Sequence, residues 1–198
     1  KWGSIDPDSG TTTELTYYIT PSGYSLSDGR TSVASDFHEQ NAVSRANSAF
    51  TDVANISFTE VNSDEYADAN FRWSFTTGPW LGMANFPGLY GDVTSDVIIY
   101  NNHYSSNIEL DSGGYYYITV THELGHALGL AHPHNGGGAW TFAPYNGNFG
   151  SEYYPGVTSW RSGGDNYLNS TPYTVMTYND SSSSLTTTDP QGNTEYVT

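Results

Sequence analysis

One short stretch of the chain brings together three histidines and one glutamate, His122-Glu-Leu-Gly-His126-Ala-Leu-Gly129-Leu-Ala-His132. Residues four apart on an α-helix leave the same face one turn apart, so His122 and His126 can bind a single ion. Imidazole is a preferred zinc ligand, at about 2.0–2.1 Å from the metal. Glu123 lies about 100° further around the helix, where its carboxylate can reach a water molecule beside the ion. The spacing predicts a zinc site with a carboxylate for proton transfer.

Gly129 determines whether His132 can bind the same ion. If the helix continued, His132 would lie about 15 Å along the helix axis from His122. Glycine accepts the left-handed conformation that ends helices, and Pro133 prevents the helix from resuming, so the chain can turn back toward the metal. Three neutral imidazoles leave a fourth coordination position open for water, as catalytic zinc sites require. We therefore expect His132 to be the third ligand and Glu123 to be the catalytic base.

The helices that position this motif are predicted from apolar periodicity. One helix is expected over about Tyr115 to Leu130, with the histidines on one face and an apolar face opposite. The apolar face consists of Val120, Leu124, Ala127, Leu128 and Ala131. An earlier helix is expected to begin near Asp36, with Glu39 as its capping-box partner, and its apolar positions continue to Val53.

Alternating or apolar runs predict strands at 15–19, 56–61, 70–75, 81–86 and 97–100. From 134 to 172 no helix or strand period is visible, and a loop of this length inside a compact domain is usually functional. The Ser/Thr-rich tail from Asp180 is expected to be irregular. The order of strands and helices favours a mixed sheet with helices packed on it.

Charge and composition exclude several classes of partner. The 198 residues include 5 Lys and Arg against 21 Asp and Glu, for a formal net charge of -16. Such a chain is repelled by nucleic acid and by anionic membrane surfaces, so neither is expected as a partner. Because the chain has no cysteine, disulfides, thiol nucleophiles and thiolate metal ligands are excluded.

The histidine motif resembles that of the metzincin zinc peptidases, whose second signature is a methionine-containing turn. That turn is present as Thr174-Val-Met176-Thr-Tyr178. Within that clan, the residues of both motifs are most similar to those of the serralysins, which are secreted bacterial proteases. The segment Asp52-Val-Ala-Asn-Ile-Ser-Phe-Thr-Glu-Val61 is similar to the serralysins too, and the resemblance covers about residues 12–180. The resemblance implies a secreted, zinc-dependent endopeptidase. It also implies an α+β metzincin-like (zincin) fold with a twisted five-stranded mixed sheet, two main helices and an irregular C-terminal subdomain.

The resemblance further implies one catalytic domain over 1–198, with an upper subdomain (1–132) and a lower, loop-rich one (133–198). Met176 would form an apolar floor under the zinc. Tyr178 would bind zinc in the free enzyme and donate to the oxyanion once substrate displaces it. Protein or peptide substrates would lie extended along the strand at 81–86, and the enzyme would be a monomer. The calcium-binding repeat domain and the third helix that serralysins usually carry are not found in this sequence.

Alternatives remain open at this point. The zinc site could belong to an amidase of narrow specificity, for example toward cell-wall peptides, or to a catalytically silent binding module. Bound Ca²⁺ at loops around Asp111 or Asp165 is a further hypothesis, although surface turns use the same residues. His134 is expected to be exposed. Candidate walls of the substrate pocket are Trp140, Phe142, Tyr145, Tyr153, Tyr154 and Trp160.

Overall fold

The computed structural model describes residues 12–63, 69–87, 94–134, 157, 161–164, 168–171 and 173–179, and the backbone of 186–188 and 194–196. Contacts along the chain divide it into two compact units, Lys1–Gly129 and Leu130–Thr198. No helix in the described part of the chain is long and apolar enough to cross a membrane.

The first unit contains a five-stranded mixed sheet. Its strands are β1 (Thr13–Ile19), β2 (Ile56–Glu60), β3 (Phe71–Thr76), β4 (Gly82–Ala84) and β5 (Ser95–Tyr100). They lie in the order β2-β1-β3-β5-β4. All neighbouring pairs are parallel except β4 and β5, which are antiparallel. The predicted α+β fold with a five-stranded mixed sheet is therefore confirmed.

The centre of the sheet is buried because β3 and β5 lie between other strands and carry apolar side chains. Phe71, Trp73 and Phe75 alternate along β3 and are fully buried in the main core. In β5, positions 97–100 form a continuous buried apolar run, which is typical of parallel strands covered on both faces. The short strand β4 lies at the edge of the sheet, where it pairs with β5 and is half-buried.

The first helix, α1, spans Phe37–Thr51. Asp36 is its N-cap and forms the predicted capping box with Glu39. Its apolar face is confirmed at the fully buried side chains of Ala42, Val43 and Ala46. The prediction was wrong at its far end. Val53 is 81% exposed because the helix ends at Thr51, so the helical period no longer directs that side chain to the core.

The second helix, α2, spans Tyr115–Leu128, and a short 3₁₀ helix (Asn107–Leu110) precedes it. Its buried face carries Val120, Leu124 and Ala127, as predicted. Helix α2 packs against α1, β4 and β5. The helix ends slightly earlier than predicted because Gly129 adopts the left-handed conformation, with φ 102°.

The second unit contains a hairpin that the sequence analysis missed. Strands β6 (Thr186–Thr188) and β7 (Thr194–Tyr196) pair antiparallel, so the tail is not wholly irregular. Runs rich in β-branched threonine favour strands, and Asp189-Pro190 and Gly192 between them are turn formers. That combination is a hairpin signal that a search for apolar alternation overlooks. The described residues after the methionine turn form no third helix.

Candidate metal centre

Helix α2 places His122 and His126 together on one face. Each is buried, at 6% exposure, and their ring centroids lie 4.6 Å apart with the planes nearly perpendicular. The ring of Phe86, which follows β4, lies 5.3 Å from that of His126. Packing therefore restricts both imidazoles, and an edge-to-face arrangement lets their nitrogens converge.

The reversal at Gly129 is present as predicted. Gly129 has φ 102° and ψ 9°, and its N–H donates to the carbonyl oxygens of Gly125 and His126 at the end of α2. A side chain with a Cβ rarely adopts this conformation, so glycine is required here. One ring nitrogen from each of His122, His126 and His132 lies within 4.8 Å of the other two. Three half-buried or buried imidazoles without a thiolate fit a zinc site with an open position.

Glu123 lies on α2 directly after His122 and is 7% exposed. Burial raises the pKa of its carboxyl group to about 8 in the metal-free chain. The carboxylate lies against the backbone of the edge strand: a Cβ built on Gly82 would be 2.6 Å from Glu123 Cγ. A carboxyl group whose pKa is raised toward neutrality by burial matches the requirement for a general base or acid.

In the second unit, the ring of His132 lies against those of Tyr178 and His134. The ring of Tyr178 lies 4.3 Å from that of His132, at an interplanar angle of 50°. His134 stacks on His132 with centroids 4.9 Å apart and an interplanar angle of 11°. The His134 and Tyr178 rings are 5.2 Å apart. His134 is half-buried, so the expectation that it is exposed was wrong: stacking on its neighbour shields it.

The methionine turn is held by two asparagines. Met176 is 4% exposed and Asn169 is fully buried. Asn169 Nδ2 donates to the Ser162 carbonyl at 2.7 Å, and Asn179 Nδ2 donates to the Asn169 carbonyl at 2.8 Å. The Thr177 hydroxyl also donates to the Asn169 carbonyl, at 3.2 Å. These bonds fix the backbone on both sides of Met176, so its side chain is held in one buried position.

Three residues of the site escaped the sequence analysis, and a fourth, His134, was expected to be exposed. Gly82 could have been found, because a glycine inside a strand often marks a close approach of another group. For His134, the only signals of a place in the site were its residue type and its position two residues after His132. Asn169 and Asn179 gave no signal of this role, since asparagine is common in surface turns and their bonds span 7, 10 and 17 residues, which no helix or strand period predicts.

Some predicted positions are not tested. The aromatic residues proposed as pocket walls, Trp140, Phe142, Tyr145, Tyr153, Tyr154 and Trp160, lie outside the described residues. So does Asp165. Asp111 forms an ion pair with Arg45 at 3.3 Å, and calcium binding stays a hypothesis.

Comparisons with known proteins show the family to which this chain is similar. The profile of the Peptidase_M10 family, Matrixin, matches residues 11–147. A serralysin of Photorhabdus luminescens is 30% identical over 183 residues, which cover 90% of this chain and 34% of that protein. The metallopeptidase AprA of Pseudomonas marginalis is 35% identical over 130 residues, or 61% of this chain and 26% of that protein. The chain thus spans about a third or less of the length of these relatives.

Among solved structures, that of myroilysin is similar to this chain, with a TM-score of 0.42 and 21% identity over 63% of this chain and 50% of that one. The family profile covers well over half of the sequence, and the histidine cluster fits the zinc that the family uses. The chain therefore belongs to the matrixin family, Peptidase_M10, as a metzincin of the zinc metalloprotease type with a serralysin-like catalytic domain.

Proposed function

We propose that this chain is a secreted, zinc-dependent endopeptidase that binds one Zn²⁺ through His122, His126 and His132. The observation that carries the proposal is the convergence of these three imidazoles within 4.8 Å, with the Glu123 carboxyl group buried next to one of them. A purely structural zinc site has no need of that carboxylate or of an open coordination position.

Glu123 is the proposed general base. When bound, zinc supplies a Lewis acid that acidifies water and polarises a carbonyl group. The Glu123 carboxylate accepts the proton of the attacking water and delivers it to the nitrogen of the leaving amine. Its burial beside Gly82 keeps competing solvent away from the carboxylate and limits the positions that it can adopt.

Tyr178 and Met176 are proposed to complete the site. Tyr178 lies 4.3 Å from the His132 ring, and it is 54% exposed, so its phenol has room to move. We propose that it acts as a zinc ligand in the free enzyme and donates its O–H to the oxyanion during hydrolysis. Buried Met176, held by the asparagine bonds around it, provides the proposed apolar floor.

The substrate is proposed to be an extended segment of protein or peptide. Strand β4 is an edge strand, and its Gly82 lies against Glu123. A substrate that adds to this edge through main-chain hydrogen bonds would bring a peptide bond near the carboxylate. Main-chain pairing requires no particular side chain, which suits an endopeptidase. With a net charge of -16, we expect neither nucleic acid nor an anionic membrane as a partner, and we propose a monomer.

The experiment combines metal content with cleavage mapping. The protein, stripped of metal and reloaded with zinc, is incubated with denatured casein and, in parallel, with peptidoglycan peptides, and products are identified by mass spectrometry. We expect internal cleavage of casein that a chelator abolishes. Glu123→Gln should keep one zinc per chain and lose nearly all hydrolysis, whereas His132→Ala should lose the zinc. Full activity of Glu123→Gln would remove Glu123 from the mechanism, and cleavage of peptidoglycan peptides alone would replace the endopeptidase with an amidase.

A further inference from the structure

We propose that Gly82 is a positioning residue for the reaction: the missing side chain at this position of β4 makes the space in which the Glu123 carboxylate is held. The inference rests on the proposed role of Glu123 as general base. Gly82 lies on the edge strand and affects the reaction only through the position of the Glu123 carboxylate. It takes no part in proton transfer itself.

The geometry shows how closely the two residues approach. A Cβ on Gly82 would lie 2.6 Å from Glu123 Cγ, 2.9 Å from Oε1 and 3.0 Å from Cδ. Non-bonded carbon atoms are most favourably about 3.5–4.0 Å apart, so alanine at this position would overlap the Glu123 side chain. Cδ and Oε1 belong to the carboxylate, which would transfer the proton, and Cγ is the methylene carbon that carries it.

The backbone conformation does not explain the glycine. Gly82 is not among the glycines with positive φ, in contrast to Gly129. It lies in a regular antiparallel pair with β5, opposite Ile99, where any L-residue can adopt the backbone. The remaining reason for a glycine at this point is the close approach of another group, and that group is Glu123.

An added methyl group would displace the carboxylate rather than the strand. β4 is paired to β5 and packs against α2, whereas the Glu123 side chain can move to another staggered rotamer without moving the helix backbone. Rotation of that side chain relieves the overlap at lower cost than moving the strand. Gly82→Ala should therefore fold and bind zinc, but with the carboxylate out of place.

The first test measures steady-state peptide hydrolysis and zinc content. A misplacement of about 1 Å can lower a rate about 100-fold, so we expect Gly82→Ala to lower kcat by about 10–100-fold. We expect KM and zinc stoichiometry to be unchanged. The matched control is Gly78→Ala, because a Cβ there would crowd the Tyr100 ring instead of Glu123; it should keep its kcat. Wild-type kcat in Gly82→Ala would overturn the proposal.

The second test uses the metal-free protein and needs no activity. Gly82→Ala should lower the Tm by about 2–4 °C, the shift expected for a small loss in a chain of this size. Gly82→Ala should cause the same loss in a Glu123→Gln background, which keeps the bulk of the side chain. It should cause no loss in a Glu123→Ala background, which lacks the overlapping atoms. Such non-additivity is the signature of direct contact. An equal loss in the Glu123→Ala background would contradict the proposal, even if the wild-type protein proved not to be a peptidase.

Discussion

Neutralising Glu123 should stabilise the metal-free protein, although the same change should abolish the proposed catalysis. Burial raises the pKa of Glu123 from the ordinary 4.5 to about 8. Between pH 4.5 and about pH 8, the Glu123 carboxyl group holds a proton in the folded state and has released it in the unfolded state. The free energy of unfolding therefore falls as the pH rises through this window. Glu123→Gln removes the dependence because the amide carries no charge at any of these pH values.

The magnitude follows from the pKa shift. A difference of one in pKa between the folded and unfolded states corresponds to about 1.4 kcal/mol. Because the pKa of Glu123 rises from 4.5 to about 8 on folding, the free energy of unfolding falls by about 3 kcal/mol between acidic pH and pH 7. The glutamine amide must also be buried, at a cost of about 1 kcal/mol when it is partly hydrogen-bonded. The net gain for Glu123→Gln is about 2–3 kcal/mol at pH 7, or a rise in Tm of about 4–12 °C.

The assay is thermal unfolding of chelator-treated protein, followed by far-UV circular dichroism at several pH values from 5 to 8. The difference in Tm between Glu123→Gln and wild type should be small at the lowest pH and grow steadily with pH. Glu14→Gln, which replaces an exposed carboxylate on β1 by an amide, is the matched control for the chemical change. Added zinc should reduce the difference, because a nearby cation favours the carboxylate. Parallel Tm curves for Glu123→Gln and wild type across this range would refute the reasoning.

Three further predictions concern the second unit. His134→Ala should weaken zinc binding about tenfold, as loss of a residue that orients a ligand does. His134→Phe keeps a ring stacked on His132 and should retain the affinity for zinc. Affinity is measured by competition with a chromogenic chelator, and an equal loss in both variants would exclude the stacking as the cause. Tyr178→Phe should keep zinc and lower kcat about 10–100-fold, comparable to removal of one oxyanion donor, and an unchanged kcat in peptide hydrolysis would exclude the proposed donation. Asn179→Ala removes the donor to the Asn169 carbonyl at 2.8 Å and should cost about 1–3 kcal/mol in urea unfolding, whereas no measurable loss would show that the bond does not hold the turn.

The sequence was most informative where one residue type has one physical use. Gly129 predicted the helix end because only glycine accepts its φ at little cost, and the observed φ of 102° agrees. The capping box of Asp36 and Glu39 predicted the start of α1 in the same way. The apolar periods of β3 and α2 predicted their buried faces, since burial is what maintains such a period.

Contacts that depend on the tertiary path of the chain could not be predicted. The stacking of His134 on His132 depends on how the chain turns after Pro133, which no periodicity encodes. The closeness of Gly82 to Glu123 depends on the packing of β4 on α2. The burial of Val53 was wrongly predicted for a related reason. Its spacing continues the apolar period of α1, but the helix ends before it.

The most direct test of the central claim is zinc-dependent cleavage of a mixed peptide library, mapped by mass spectrometry, with the zinc content measured on the same samples. We expect one zinc per chain, internal cleavage of peptides, loss of both on removal of the metal, and recovery of both when zinc is returned. Cleavage that persists in the zinc-free protein would contradict it, as would a fully zinc-loaded protein that cleaves no peptide.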